Sequence, residues 1–110
     1  DYLPRIAEAL ELEPETRAMA REMIRDLSAE PAFASMLPTG TVAGAVYIAS
    51  ILNDDRRSQD EISKTAGVSE VTLRNRARQI ADALGIHPFP PEGRPLVGWK
   101  SKRTALAADT

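Results

Sequence analysis

The residues best suited to chemistry lie between positions 56 and 78, and the chemistry they suit is binding to a polyanion. This segment carries six basic and three acidic side chains, a net charge of +3, whereas residues 1–55 carry four basic and ten acidic ones, a net charge of −6. Such asymmetry within a chain of net charge −2 is typical of nucleic-acid-binding proteins. Arginines that only solvate a helix surface are the alternative interpretation.

The segment that follows Ser69 has two helical faces, which differ in polarity. One face is apolar at helical spacing and is expected to contact the core; it consists of Leu73, Ala77, Ile80, Ala81 and Leu84. The other face follows i, i+3, i+4, i+7 spacing, and nothing in the pattern buries it; it consists of Val71, Arg74, Asn75 and Arg78. An arginine can donate two hydrogen bonds to guanine O6 and N7, and a valine can contact a thymine methyl group.

Local signals place these residues in a helix-turn-helix over residues 58–84. Ser58 and Glu61 form an S-x-x-E capping box, which predicts the start of a short helix. Gly67 ends that helix, because glycine adopts a positive φ without strain. Ser69 can cap the second helix. In such a motif, the N-terminal residues of the second helix enter the DNA major groove.

The remaining elements are predicted to be helices that support this unit. Apolar stripes predict a first helix over about residues 2–11 and a second over about residues 14–28. Residues 42–52 are apolar nearly all round, which is typical of a buried third helix. The connection containing Phe33 is expected to be a loop or a helical turn. The sequence therefore predicts an all-α fold of five helices, in which the fourth and fifth form the helix-turn-helix.

The C-terminal part has a different composition from the rest. Four prolines occur among the nine residues 87–95, which predicts an irregular arm. Lys100, Lys102 and Arg103 form a small basic cluster in the tail. We therefore expect residues 1–86 to form one domain, and residues 87–110 to form a proline-rich arm and basic tail.

Several classes of function are not expected from this composition. The absence of cysteine and the single histidine, His87, argue against a metal site and against any cofactor in this chain. Asp54 and Asp55 are interpreted as a solvated turn, and no glycine-rich phosphate loop is present. We expect no enzymatic activity and no small-molecule substrate. No apolar run is long enough to span a membrane, and no signal peptide is recognised at Asp1, so we expect a piece of a longer protein.

Four stretches carry a resemblance to a known family. They are Leu3-Pro4-Arg5, Pro38-Thr39-Gly40, Tyr47-Ile48-Ala49-Ser50 and the ungapped run from Arg57 to Arg76. In this order they resemble the second cyclin-like repeat of transcription factor IIB, and the archaeal transcription factor B more closely than the eukaryotic one. The resemblance covers about residues 2–86. It implies a cyclin-like fold and a role in transcription initiation.

The resemblance also implies partners and site residues. In the family this repeat binds promoter DNA at the B-recognition element, upstream of the TATA box, with TATA-binding protein, and helps to recruit RNA polymerase. The family's base-contacting valine and arginine match Val71 and Arg74. Supporting DNA contacts are expected from Arg57, Ser58, Lys64, Ser69, Thr72, Asn75 and Arg78. The family's zinc ribbon and first repeat would lie upstream, outside this chain. An archaeal protein would be cytoplasmic, and a eukaryotic one nuclear.

Departures from the family pattern suggest a divergent paralogue with its own preferred DNA sequence, and two other functions stay open beside the family role. Leu37 stands where the family usually has a capping serine, and Ala77 where it usually has an aromatic residue, which predicts looser packing or compensation by Phe89 or Trp99. A stand-alone helix-turn-helix regulator is one alternative. A cyclin-like protein-interaction module is another; it would dock a partner through the proline-rich arm or through the face formed by Arg17, Arg21 and Arg25.

Overall fold

The computed structural model describes residues 2–87, and all regular structure within that range is helical. The elements are α1 (Tyr2–Ala9), α2 (Pro14–Leu27), α3 (Pro31–Ala34), α4 (Pro38–Leu52), α5 (Gln59–Ala66) and α6 (Glu70–Leu84). The predicted all-α fold is confirmed. The predicted number of helices, five, is corrected to six by the short helix α3.

Two differences from the predicted helices, the presence of α3 and the earlier start of α4, concern helices that begin at a proline. Pro31 opens α3, whose Phe33 is buried, and Pro38 opens α4 four residues before the predicted start at Val42. Proline is favoured at the first helical position because its fixed φ suits a helix and it has no N–H to satisfy. Leu37 precedes α4 without any side-chain cap hydrogen bond, and its side chain is 73% exposed.

Helix α4 is the centre of the fold. Nearly every side chain between Gly40 and Ile51 is buried, and the helix contacts α1, α2, α5 and α6. One cluster of buried apolar residues joins it mainly to α1, α2 and α5, and a second joins it mainly to α2, α3 and α6. Tyr47 is the partly exposed residue in this stretch.

Helices α4 and α6 approach each other closely at Gly44. A Cβ atom on Gly44 would lie 2.8 Å from Ile80 Cδ1 and 3.2 Å from the backbone nitrogen of Ala77. Ala77 itself is fully buried. Two small residues therefore bring the backbones together, so the packing at Ala77 is tight rather than loose. Phe89 and Trp99, the expected sources of compensation, lie outside the described residues.

The Asp55 carboxylate joins three parts of the chain. It accepts hydrogen bonds from the Glu13 N–H at 2.9 Å, the Thr16 hydroxyl at 2.9 Å and Arg57 Nη1 at 2.8 Å. Glu13 is the N-cap residue of α2 and has no side-chain cap of its own, so Asp55 supplies this cap from 42 residues away. The side chain of Asp55 is only 9% exposed, which corrects the interpretation of this residue as part of a solvated turn.

The same contacts set the ionisation of Asp55. Burial alone would raise the pKa of this carboxyl, but the hydrogen bonds from Glu13, Thr16 and Arg57, with the positive charge of Arg57, together lower it below its ordinary value of 3.8. Asp55 is therefore a carboxylate in the folded protein at neutral pH.

Neither a membrane span nor a metal-ligating cluster was found within residues 2–87. No helix there is both long enough and apolar enough to cross a membrane. No group of three or more histidine, cysteine, aspartate and glutamate side chains is arranged to hold a metal ion. His87 is exposed, and the predicted arm beyond it lies outside the described residues.

Candidate nucleic-acid interface

Helices α5 and α6 are joined by a three-residue turn whose geometry follows from its cap residues. Ser58 Oγ accepts a hydrogen bond from the Glu61 N–H at 3.0 Å, and the Glu61 carboxylate accepts one from the Ser58 N–H at 3.2 Å. Gly67 ends α5 with φ of 75°, a left-handed conformation that favours glycine. Ser69 then caps α6 by accepting from the Thr72 N–H. The predicted capping box, turn glycine and second cap are all present.

Helix α6 presents the two faces that the spacing predicts. Leu73, Ala77, Ile80 and Ala81 are buried, and Leu84 is partly buried. On the other face, Val71 is 57% exposed, and Arg74, Asn75 and Arg78 are also exposed. Single exposed apolar side chains are common on protein surfaces, so Val71 is a candidate contact because it lies near the start of α6 on the same face as Arg74 and Arg78.

The exposed cations of this unit differ in their partners. Lys64 forms an ion pair with Asp60 at 3.1 Å, but both side chains are more than half exposed, so the pair is weak and easily exchanged. Within the described residues, neither Arg74 nor Arg78 lies within ion-pair distance of a carboxylate. Neither guanidinium group is therefore neutralised by a carboxylate of the described residues, and both can still donate to an anion or a polar base edge.

Arg57 lies apart from the exposed cations. Its guanidinium donates to the carbonyl oxygens of Leu10 at 3.1 Å and Glu11 at 3.2 Å, and it forms an ion pair with Asp55. The side chain is 22% exposed. These contacts attach the start of α5 to the end of α1, which gives Arg57 a structural role whether or not it also contacts DNA.

The hydroxyl groups expected to contact phosphate lie at helix N-termini and already form hydrogen bonds within the protein. Ser58 Oγ and Ser69 Oγ each accept a backbone N–H, as described above. Ser69 Oγ also donates to Thr72 Oγ1 at 3.0 Å, which leaves the Thr72 hydroxyl proton free to donate outward. These positions add the partial positive charge of a helix N-terminus to any phosphate contact.

Two polar residues beside this face had no role assigned from the sequence. Gln59 Oε1 accepts a hydrogen bond from Arg74 Nη1 at 3.0 Å, and Gln59 Nε2 donates to Tyr47 Oη at 3.1 Å. With Arg78 these residues line an open cleft of about 200 Å³ between α4, α5 and α6. No local pattern marks Gln59 and Tyr47, since they belong to different helices, α5 and α4.

The arrangement is suited to reading a polar, anionic surface. Helix α6 offers one apolar side chain and two guanidinium groups without a carboxylate partner among residues 2–87, all on a single face. The N-termini of α5 and α6 and Lys64 lie on the same pair of helices. Guanidinium groups donate along a plane, as guanine edges and phosphates require, and apolar contacts distinguish thymine methyl groups. The sequence-based assignment of individual DNA contacts stays a prediction.

Comparison with known proteins identifies relatives of the whole described fold. The family model described as the Transcription factor TFIIB repeat matches residues 1–83. The chain is 43% identical over 86 residues to the Transcription initiation factor IIB of Methanothrix thermoacetophila, and 44% identical over 86 residues to that of Archaeoglobus fulgidus. It is 40% identical over 86 residues to a protein of the same name from Haloarcula vallismortis.

The three matches cover the same share of this chain, 78%, but different shares of the relatives. The chain spans 26% of the length of the first two relatives and 75% of the Haloarcula protein. The all-helical structure is consistent with the cyclin-like fold expected of such a repeat.

Proposed function

The chain belongs to the transcription factor TFIIB repeat family, and from this premise we propose that it acts in transcription initiation as a promoter-binding repeat. In this proposal it corresponds to the second repeat of the family. It binds the B-recognition element upstream of the TATA box through α5 and α6, together with TATA-binding protein, and helps to recruit RNA polymerase. Helices α5 and α6 act as a helix-turn-helix, with α6 in the major groove.

The observation that carries this proposal is the exposed face of α6. Val71 is 57% exposed near the N-terminus of the helix, and Arg74 and Arg78 have no carboxylate partner among residues 2–87. Burial of Leu73 and Ile80 on the opposite side fixes which face points outward. Arg74 then donates to a guanine edge, and Val71 contacts a neighbouring base.

The other residues on this unit position the protein on the DNA backbone. Lys64, Asn75 and Arg78 are exposed and supply donors to phosphate oxygens. Ser58, Ser69 and Thr72 lie at helix N-termini, where backbone N–H groups favour an anion. We assign Arg57 an indirect role: it holds α5 against α1, so that the other contacts are presented together.

A salt-dependent DNA titration tests the proposal. The probe is a duplex containing a TATA box with its upstream flank, and affinity is measured with and without an archaeal TATA-binding protein over a range of salt concentrations. We expect tight binding only with TATA-binding protein. We also expect Arg78→Ala to weaken binding on all sequences and to reduce the slope of log affinity against log salt by about 1.

Arg21→Ala is the matched control, since Arg21 is an exposed arginine on α2, outside the proposed interface. It should leave both affinity and slope unchanged. A chain that binds such duplexes tightly as a dimer without TATA-binding protein would be a stand-alone regulator instead. The absence of any salt-dependent DNA binding would contradict both and favour a protein-interaction module.

A further inference from the structure

We propose that Gln59 is a positioning residue for base recognition, which holds the Arg74 guanidinium in place before DNA arrives, and that Tyr47 anchors the Gln59 side chain. This inference rests on the proposed function, because Arg74 is its base-reading residue. It assigns a role in specificity to two residues that need not touch a base themselves.

Two hydrogen bonds link Tyr47, Gln59 and Arg74 in a chain, called the relay below, that runs from helix α4 to the exposed face of α6. Tyr47 projects from α4 and accepts from Gln59 Nε2 at 3.1 Å, and Gln59 Oε1 accepts from Arg74 Nη1 at 3.0 Å. Tyr47 is anchored in the most buried helix of the protein, and Gln59 occupies the first position of α5. One relay therefore connects all three helices that surround the cleft.

The orientation of the glutamine amide determines whether the relay works. A glutamine amide has one accepting oxygen and one donating NH₂ group. When the Tyr47 hydroxyl takes the NH₂ group, the oxygen faces Arg74. If the amide flipped, its NH₂ group would face the guanidinium, which can only donate, and the contact would become repulsive. The guanidinium of Arg74, which can only donate, thus selects the amide orientation, and the Tyr47 hydroxyl, which can donate or accept, holds the NH₂ group of that orientation from the opposite side.

The relay leaves Arg74 able to recognise a base. A guanidinium has five N–H donors, and the bond to Gln59 uses one donor of Nη1. The remaining donors can still form a bidentate pair with guanine O6 and N7. A long side chain that is already held in one arrangement loses less conformational entropy on binding, so its contact contributes more to affinity.

The main test compares two glutamines that hold two different arginines. Gln59→Met keeps the length of the side chain and removes the acceptor for Arg74. Gln79→Met is the matched control, because Gln79 Oε1 accepts from Arg76 Nη1 at 3.0 Å, elsewhere on α6. Base preference is measured with a duplex library randomised upstream of a TATA box, with TATA-binding protein. We expect Gln59→Met to reduce the preference at one base pair by about fivefold, the factor that one net hydrogen bond supplies, and Gln79→Met to leave every position unchanged.

Two further variants separate positioning from folding. Tyr47→Phe should reduce the preference at the same base pair and at no other. In an Arg74→Ala background, Gln59→Met should have no further effect, since the residue through which it acts is gone. Equal losses at all base pairs, or additive losses in the double variant, would overturn the proposal.

A measurement without DNA distinguishes a failure of the Gln59–Arg74 contact from a failure of the proposed function. Side-chain ¹⁵N NMR of the free chain should show that Gln59→Met increases the mobility of the Arg74 guanidinium, and that Gln79→Met does so only for Arg76. Unchanged mobility of Arg74 in the Gln59 variant would overturn the inference. If mobility changes as expected but the wild-type chain shows no base preference, the proposed function fails and the contact itself stands.

Discussion

At the scale of single residues, the arginines of the α5–α6 unit divide into two groups by their hydrogen bonds. Arg57 donates to carbonyl oxygens of the protein and pairs with a carboxylate, whereas Arg74 and Arg78 are exposed without a carboxylate partner among residues 2–87. Residue type and charge do not distinguish Arg57 from Arg74 and Arg78, because all three are arginines of the same basic segment. Only the contacts separate an arginine that holds the fold from one that is free to bind DNA.

Replacing Arg57 should therefore reduce stability. Arg57→Ala leaves the Leu10 carbonyl, the Glu11 carbonyl and the Asp55 carboxylate without this donor, and we expect the free energy of unfolding to fall by about 1–3 kcal/mol. Urea denaturation measures this change. The neighbouring exposed Arg56→Ala is the control and should have little effect. If Arg57→Ala left stability unchanged but weakened DNA binding, Arg57 would instead be a direct contact to a DNA phosphate.

Asp55 should make the stability depend on pH in the acidic range. Its folded-state pKa lies below 3.8, so the unfolded chain binds the proton more readily than the folded one. The stabilisation is complete above the unfolded pKa and is lost as pH falls through the folded pKa. Unfolding measured between pH 6 and pH 2 should show this loss in the wild-type chain.

The loss of stability at acidic pH should be smaller in Asp55→Asn, because the asparagine side chain cannot change charge. At neutral pH this variant should already be less stable by about 1–3 kcal/mol, since its NH₂ group must face a donor. Asp54→Asn is the control: Asp54 is exposed, and its φ of 53° is one that asparagine tolerates. Identical pH profiles for the wild-type and Asp55→Asn chains would contradict this role.

At the scale of elements, the parts that could be predicted are those determined by neighbours in sequence. Both ends of α5 and the start of α6 follow from Ser58, Gly67 and Ser69, whose hydrogen bonds span three or four residues. The central position of α4 follows from its composition. These signals act within a helical turn, so a pattern in the sequence is enough to find them.

The parts that could not be predicted depend on contacts between distant residues. Asp55 caps α2 from 42 residues away, and Arg57 reaches the carbonyl of Leu10 across 47 residues. Nothing near either residue in the sequence marks these partners. The relay from Tyr47 to Arg74 has the same character, since its members belong to three helices and only the fold brings them together.

The contact between α4 and α6 gives a prediction at this scale. In Gly44→Ala the new methyl group would meet Ile80 Cδ1 at 2.8 Å and the Ala77 nitrogen at 3.2 Å, and a backbone atom cannot move aside cheaply. We expect a loss of about 1–3 kcal/mol, as is typical of overpacking. Thermal or urea unfolding measures it.

Gly40→Ala is the matched control on the same helix. Its methyl group would meet only side-chain atoms of Arg76 and Thr72, the nearest at 3.1 Å, and Arg76 can adjust. This change should be nearly neutral, because alanine also favours the helical conformation. If Gly44→Ala were as well tolerated as Gly40→Ala, the close approach of the two helices would not be required.

At the scale of the whole molecule, charge and stability are divided between two parts of the chain. The helices α1 to α4 lie within a segment of net charge −6 up to residue 55 and supply most of the core, while the segment from 56 to 78 carries +3. An acidic support repels phosphates and a basic face attracts them, so DNA should approach from the α5–α6 side. Binding orientation is then a property of the entire repeat.

The most direct test of this account is the base preference of the wild-type and Arg74→Ala chains on the same randomised promoter library with TATA-binding protein. We expect the wild-type chain to select a guanine at one position upstream of the TATA box. Arg74→Ala should lose that selection and about 1–3 kcal/mol of affinity for the selected site, while preferences elsewhere remain. Equal weakening of selected and scrambled sequences by Arg74→Ala would contradict the account.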